Sequence, residues 1–424
     1  MIKTTELDLS TSERAKRLFL LCWLVYAASY VTKLCFSICM NGMISNGLFD
    51  EAFGGAIGTA LFASYGVGQL VNGWLGDKIS PKHMIGIGLS IASAMDFLMA
   101  LATNKYILLA VWCVEGVGCS MLWAPILRCI SEYLPSKERD AAGTWISATI
   151  PVGTIVSYVV GGIFLDRLGY RAVFIVSGLI GALFVLIWIL GMHSLGDYFT
   201  SFKKESVSGD AREADVISVC DLVRLVLSSG AAMAIVCIFF NGILKDGVTL
   251  WLPTYLSETF ALSDSTASWL MNIIPIINLA GAFVAVQINK RVTKNEFLTV
   301  SLMFAVSLVG ILGLYFFGRY NVVFAVILMS LSTSSMLGAN TMLLTFIPMF
   351  FAKVGRASAL TGFLDAVSYL SSAISAAAIG LIAGTLGWNT TVIVWASIAF
   401  GGVLFSTIIF PRWKKGRADI ERTK

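Results

Sequence analysis

Long apolar runs, roughly twenty residues each, recur twelve times along this chain of 424 residues, and that recurrence leaves few folds open. They fall at about 17–43, 53–76, 84–103, 106–130, 141–165 and 171–192, then at about 230–256, 265–288, 296–317, 321–348, 357–382 and 389–410. Each is long enough to cross a hydrocarbon layer of about 30 Å as a helix. A transmembrane barrel would instead alternate over segments of about ten residues. Charged residues make up 13% of the chain and hydrophobic ones 57%, against about 25% charged in soluble domains. The expectation is an all-α membrane protein with twelve transmembrane helices in two six-helix bundles. Its parts are a cytoplasmic N-terminus at 1–16, a first bundle at 17–192, a cytoplasmic linker at 193–229, a second bundle at 230–410 and a cytoplasmic tail at 411–424.

Basic residues decide the orientation, because lysine and arginine in short loops stay on the cytoplasmic side. They gather at the N-terminus, at Lys78 and Lys82, at Lys137 and Arg139, in the linker, at Lys290, Arg291 and Lys294, at Lys353 and Arg356, and in the tail. The alternate loops carry few, so both termini are expected in the cytoplasm of a plasma membrane of bacterial type. The net charge of +5 is scattered over these loops rather than massed on one face, which argues against nucleic acid as a partner. No cleavage pattern precedes the first run, so no removable signal peptide is expected. The eight cysteines lie mostly inside apolar runs without a C-x-x-C pair, and read as small buried hydrophobes. No nucleophile constellation, metal cluster, ATP site or phosphate-cradling loop is present, so neither enzyme chemistry nor a cofactor is expected.

One lysine, Lys33, stands in the middle of the first run, in Tyr30-Val-Thr-Lys33-Leu-Cys-Phe36. A charge at that depth costs about 3 kcal/mol on insertion scales, so it marks a site. Lys245 occupies a comparable setting in the second half, and 245 − 33 = 212 is half of 424. The same offset links Asp77 with Asn289, in the loops Gly73-Trp-Leu-Gly-Asp77-Lys78 and Val286-Gln-Ile-Asn289-Lys290. Leu168-Gly169-Tyr170-Arg171 before the sixth run likewise echoes Leu386-Gly387-Trp388-Asn389 before the twelfth. Two parallel repeats related by an axis along the membrane normal fit a two-bundle secondary transporter, with its site between the halves.

The loop holding Gly73, Asp77 and Lys78 resembles the signature that the major facilitator superfamily carries between helices 2 and 3, although Ser80-Pro81 stands where that signature prefers glycine. Within the superfamily the chain is similar to the organophosphate:phosphate antiporters, the group of the glycerol-3-phosphate and hexose-phosphate transporters. The most specific piece is Lys245-Asp-Gly247-Val-Thr-Leu-Trp251-Leu-Pro253-Thr254-Tyr255-Leu256. Tyr65-Gly66, Trp123-Ala-Pro125 and Gly362-Phe363 with Tyr369-Leu370 support it. The resemblance implies the major facilitator fold and a phosphate held by two basic residues, here Lys33 and Lys245, where the family has arginines. Lysine keeps the charge but not the planar fork that matches phosphate. Positions where some members carry a further lysine and a histidine are held by Gln69 and Thr149, and His83 and His193 sit at run ends.

The expected substrate site therefore comprises Lys33, Lys245, Tyr30, Tyr65, Trp123, Asp365 and Tyr369, with Asp246, Asp365 and Glu115 as coupling groups or counter-ions. Asp365 and Asp246 each suit three roles: fixed counter-ion, ligand for a substrate ammonium or hydroxyl, or proton carrier. Gly73, Asp77 and Lys78 are expected to form a gating loop. The function expected is secondary transport of a small organic anion, foremost a phosphorylated metabolite exchanged for phosphate or another anion, by a monomer with protons as a coupling ion in one variant of the scheme. Two alternatives stand beside it: a non-transporting sensor of a sugar phosphate, and a proton-coupled carrier of carboxylate sugars or zwitterions.

Overall fold

The computed structural model describes residues 3–75, 79–135, 142, 145–196, 231–347 and 357–422. Its helices are α1 (Lys3–Ser45), α2 (Glu51–Leu75), α3 (Pro81–Leu101) and α4 (Lys105–Ile130), then a continuous stretch Thr149–Ser194 that holds α5 and α6. The second half adds α7 (Ala234–Phe260), α8 (Asp264–Thr293), α9 (Glu296–Tyr320) and α10 (Val322–Phe346), and Ala357–Arg422 holds α11 and α12. The two long stretches, of 46 and 66 residues, are each too long for one crossing at 1.5 Å per residue. Each bends at one glycine, Gly169 (φ 77°) and Gly387 (φ 75°), in the left-handed region that a side chain resists. These are the glycines of the paired Leu-Gly sequences, so the repeat seen in sequence is a repeat in backbone conformation. Twelve helices thus lie among the described residues, as the apolar runs require, and the chain is an integral membrane protein. Of the linker expected at 193–229, residues from 197 onward lie outside the described ones, as do Asp77 and Lys78.

Lipid gives no hydrophobic drive for helices to pair, so close approach falls to small residues. The two halves use them alike. In the first, α1 meets α5 at Gly153 against Ala27, α2 meets α4 at Gly116 against Leu61, and α3 meets α6 at Gly178 against Phe97. In the second, α7 meets α11 at Gly242 against Ser368, α8 meets α10 at Gly281 against Ser334, and α9 meets α12 at Gly402 against Phe304. Every pair in one half has its counterpart six helices on.

Contacts between the halves gather toward one end. Ser37 donates to the Leu250 carbonyl (2.6 Å), Asn41 to Asp264 (2.5 Å), and Thr59 to the Ala373 carbonyl (2.9 Å), while the Ser265 N–H donates to Asp166 (3.1 Å). All lie on the side of the turns at 46–50 and 261–263. Gly66 still touches Tyr369 and the Ala366 carbonyl. One turn further, Leu70 of α2 and Phe363 of α11 are 54% and 49% exposed, so the halves part there. Among the described residues, the ties between the halves therefore lie at the end opposite the basic loops.

The seam that holds α7 to α11 is tight enough to predict. A Cβ on Gly242 would stand 2.5 Å from the Ser368 carbonyl, which backbone cannot yield cheaply. Gly242→Ala is expected to destabilise the protein by about 1–3 kcal/mol, as overpacking does, read as a lowered melting temperature in detergent, whereas Gly362→Ala, with open space around it, leaves melting unchanged.

Candidate functional site

Three helices place the amine of Lys33. The side chain leaves mid-α1, and its Nζ lies 4.5 Å from the ring centre of Tyr30, 5.1 Å from that of Tyr65 on α2 and 5.8 Å from that of Tyr369 on α11. The Tyr65 and Tyr369 rings are themselves 4.2 Å apart, which closes the cage across the boundary between the halves. Each aromatic face contributes about 0.5–2 kcal/mol to holding a cation. Among the described residues Lys33 has no salt-bridge partner.

Lys245 is held differently. It sits in a π-helical turn, Ile243–Gly247, a widened turn that frees backbone carbonyls from the regular ladder. Ser375 of α11 stands against one of those carbonyls, its Oγ 3.2 Å from the Ile243 oxygen. Buried backbone groups in a membrane need such partners. The Lys245 Nζ donates to Asp246 Oδ1 at 2.7 Å, and Ser372 Oγ donates to the other Asp246 oxygen at 3.0 Å. Lys245 and Asp246 keep 22% and 21% of their side-chain surfaces accessible in mid-helix. Their neighbours Leu244 and Ser372 are fully buried, so that surface belongs to an internal chamber.

Asp365 of α11 completes the group. It feels the charges of Lys245, Asp246 and Lys33, and Lys245 in turn feels Tyr30. Lys33, Lys245, Asp246, Asp365 and the three tyrosines therefore lie within electrostatic reach of one another where the two halves face each other. Two hollows elsewhere exclude both lysines. One, of about 360 Å³, is lined by Tyr255, Thr259, Arg319 and Trp388, ten residues along α7 from Lys245. The other, of about 640 Å³, follows the outer face of α3 beside Trp188 and Ile189.

Not every expected residue reaches the chamber. Trp123 stacks on Tyr26 (4.9 Å between ring centres), and Tyr26 meets Tyr30 edge-on, so Trp123 stands one layer behind. Glu115 is fully buried inside the first half, within reach of the Cys119 thiol at 3.3 Å. Gly73 lies in the last turn of α2. Among the described residues seven cysteines are free and six of them buried, in keeping with a packing role. Tyr26, Ser372 and the fully buried Asp96 of α3 were not singled out in the sequence. Asp96 carried a readable signal, since it is a charge inside an apolar run, as Lys33 is.

Comparison with known proteins places these features in a family. The family model described as Major Facilitator Superfamily matches residues 18–369. A probable hexose phosphate transport protein of Chlamydia muridarum (strain MoPn / Nigg) is 23% identical over 96% of this chain and 92% of its own length. The membrane sensor protein UhpC of Escherichia coli (strain K12) is 21% identical over 93% and 92%. Among solved structures, a bacterial homolog to the human lysosomal transporter Spinster, inward-facing and unoccupied, superposes with a TM-score of 0.73 at 13% identity, over 96% of this chain and 98% of that one. These relatives bear out the resemblance to the hexose-phosphate branch.

The serine on α11 gives the site a separate test. Ser372→Ala removes the donor to Asp246, and a hydrogen bond to a charged group contributes about 1.5–3 kcal/mol. The expected outcome is a loss of that size in stability by denaturation in detergent, smaller in Asp246→Asn, which no longer presents a buried carboxylate that needs the donor.

Proposed function

The chain belongs to the major facilitator superfamily, and on that premise we propose that it is a secondary carrier that exchanges a phosphorylated sugar or a similar small organic anion for phosphate. The observation that carries this reading is the state of Lys33, an amine deep in the membrane with aromatic faces from both halves around it and, among the described residues, no carboxylate in ion-pair contact. A buried cation without a counter-charge is costly. A cargo anion supplies one, and because the cage is built from α1, α2 and α11, binding it draws on both halves at once. Lys245 completes the anion site by leaving Asp246 for the cargo, and Asp365 accepts from cargo hydroxyls.

Occupancy then governs movement. With the chamber empty, crossing of the dry intermediate would carry an uncompensated Lys33 through it, so the loaded form turns over faster and one anion is exchanged for another. Gly73, Asp77 and Lys78 would act at the cytoplasmic end, where the bundles part. The setting that fits is a bacterial inner membrane with both termini in the cytoplasm and the monomer as the working unit. A second reading has its own support. Two relatives are named as the membrane sensor UhpC, and a sensor needs the same anion site without flux.

Two measurements test this. In proteoliposomes loaded with inorganic phosphate, labelled glucose 6-phosphate is expected to accumulate inside, whereas a sensor binds it and shows no uptake. Lys33→Gln and Lys245→Gln each remove a partner of a buried charge, worth about 3–5 kcal/mol, so uptake should fall at least a hundredfold with normal amounts of protein in the membrane. Wild-type rates in both variants would remove the assignment.

A further inference from the structure

The smaller of the two hollows takes no part in the site around the lysines and carries polar groups of its own. It encloses about 360 Å³ between α7, α9 and α12, at the end where the halves are tied. Tyr255 and Thr259 reach it from α7, Tyr315 and Arg319 from α9, and Trp388 and Asn389 from the start of α12, just past the Gly387 bend. Tyr255 stands ten residues past Lys245 (255 − 245), about 15 Å along the helix axis. Leu250 lies between them, and its carbonyl accepts from Ser37, so the hollow borders the ties between the halves.

Several of its polar groups are left incomplete by the protein. The Thr259 hydroxyl is closed to solvent and has no hydrogen-bond partner among the described residues. The Tyr255 hydroxyl, one turn back on the same helix face, stands near it without making the bond. A shielded hydroxyl left unmet is costly, and an occupant with a polar atom relieves it. Arg319 presents a planar fork of N–H donors, and among the described residues it donates to the Asn389 side-chain oxygen and makes no ion pair. Asn389 keeps its amide nitrogen as a further donor. The acid beside Trp388 is committed elsewhere: Glu258 does not line the hollow, and its Oε2 accepts from Trp388 Nε1 at 2.7 Å. That bond fixes the indole, which meets the Tyr255 ring edge-on with 5.3 Å between centres. An unpaired guanidinium and an unmet hydroxyl thus face a rigid aromatic wall, in a volume that suits a small molecule.

We propose that this hollow is a second anion site, separate from the two lysines, in which Arg319 holds a phosphate or similar oxyanion. The guanidinium fork takes two of the anion's oxygens, Asn389 and Thr259 bond its remaining polar atoms, and its body lies against Trp388 and Tyr255. Two sources share that chemistry. One is a soluble organic phosphate; the other is the headgroup of an anionic lipid whose chains run past Phe316 and Phe317, both exposed beside Arg319. The inference does not rest on the carrier reading, because it needs neither lysine nor flux.

Equilibrium binding of labelled glucose 6-phosphate to the purified protein in neutral detergent tests the soluble source. In the Lys33→Gln, Lys245→Gln double variant, binding is expected to persist at a single site per chain. Adding Arg319→Gln should weaken it at least about tenfold, the loss expected of one hydrogen bond to a charged group, and adding Thr259→Val should weaken it severalfold. Should the lysine variants fail to fold, Arg319→Gln in the wild type is expected to lower the number of sites per chain by one. Native mass spectrometry with phosphatidylglycerol against phosphatidylcholine tests the lipid source, through selective retention of phosphatidylglycerol that Arg319→Gln abolishes. Dependence on Arg319 in either arm supports the site and names its occupant, and binding that ignores Arg319 in both overturns it. If glucose 6-phosphate fails to enter proteoliposomes, the carrier reading falls and these two measurements still decide the second site.

Discussion

A positive charge placed where water is scarce governs the rest of this structure. Lys33 costs several kcal/mol at its depth unless something offsets it, and around it the fold supplies polarisable faces rather than a fixed anion. Three tyrosines hold the amine loosely and from two halves, so the offset stays incomplete. Lys245 solves the same problem the other way, with Asp246 beside it and Ser372 behind that. One cation is neutralised at rest and the other is not. For a carrier this asymmetry is useful, because a site in which both lysines were paired would gain little from cargo, while two bare amines would repel each other and resist closing.

The supports for these two lysines differ for the same reason. A regular helix satisfies its own backbone and has nothing to spare, whereas the π-turn at Ile243–Gly247 releases carbonyls that only a neighbour in the bundle can satisfy. α11 provides Ser375 for that purpose and spends Ser372 on Asp246, and glycines at Gly242 and Gly247 let it come close enough. The ion pair, the widened turn and the seam between α7 and α11 are therefore one arrangement. Lys33 rides on an unbroken α1 and needs no such repair.

Much of this was legible in the residues. Twelve apolar runs and two matching Leu-Gly bends gave the architecture, and two lysines 212 positions apart pointed to the proposed site, because desolvation makes any mid-run charge conspicuous. The aromatic cage was half legible: Tyr30 follows from helical spacing, but Tyr65 and Tyr369 meet Lys33 only through tertiary packing. Trp123 shows the limit, since a large side chain near the site in sequence can pack on Tyr26 instead of facing the chamber. Asp246 offered three roles on paper, and its contacts narrow the resting one to counter-ion of Lys245. The difference between the lysines was invisible, because it depends on which carboxylate a side chain reaches, and sequence adjacency supplied Lys245 with a neighbour but left Lys33 open.

The tied end of the molecule bears on how the chamber is used. Where the halves meet, the ties are short hydrogen bonds between small polar groups, Ser37 to Leu250, Thr59 to Ala373 and Asn41 to Asp264, with glycine packed on backbone between them. Ties of this kind are re-made with water when that end opens, while the apolar contacts beside them, Leu250 on Gly58 and Trp269 on Gly162, have to be given up. The buried apolar core runs continuously through both halves, from Phe36, Trp112 and Phe174 through Trp251 to Phe297, Phe304 and Trp413. Under the carrier reading, an anion that contacts both halves has to supply a few kcal/mol of differential binding to shift which end is open.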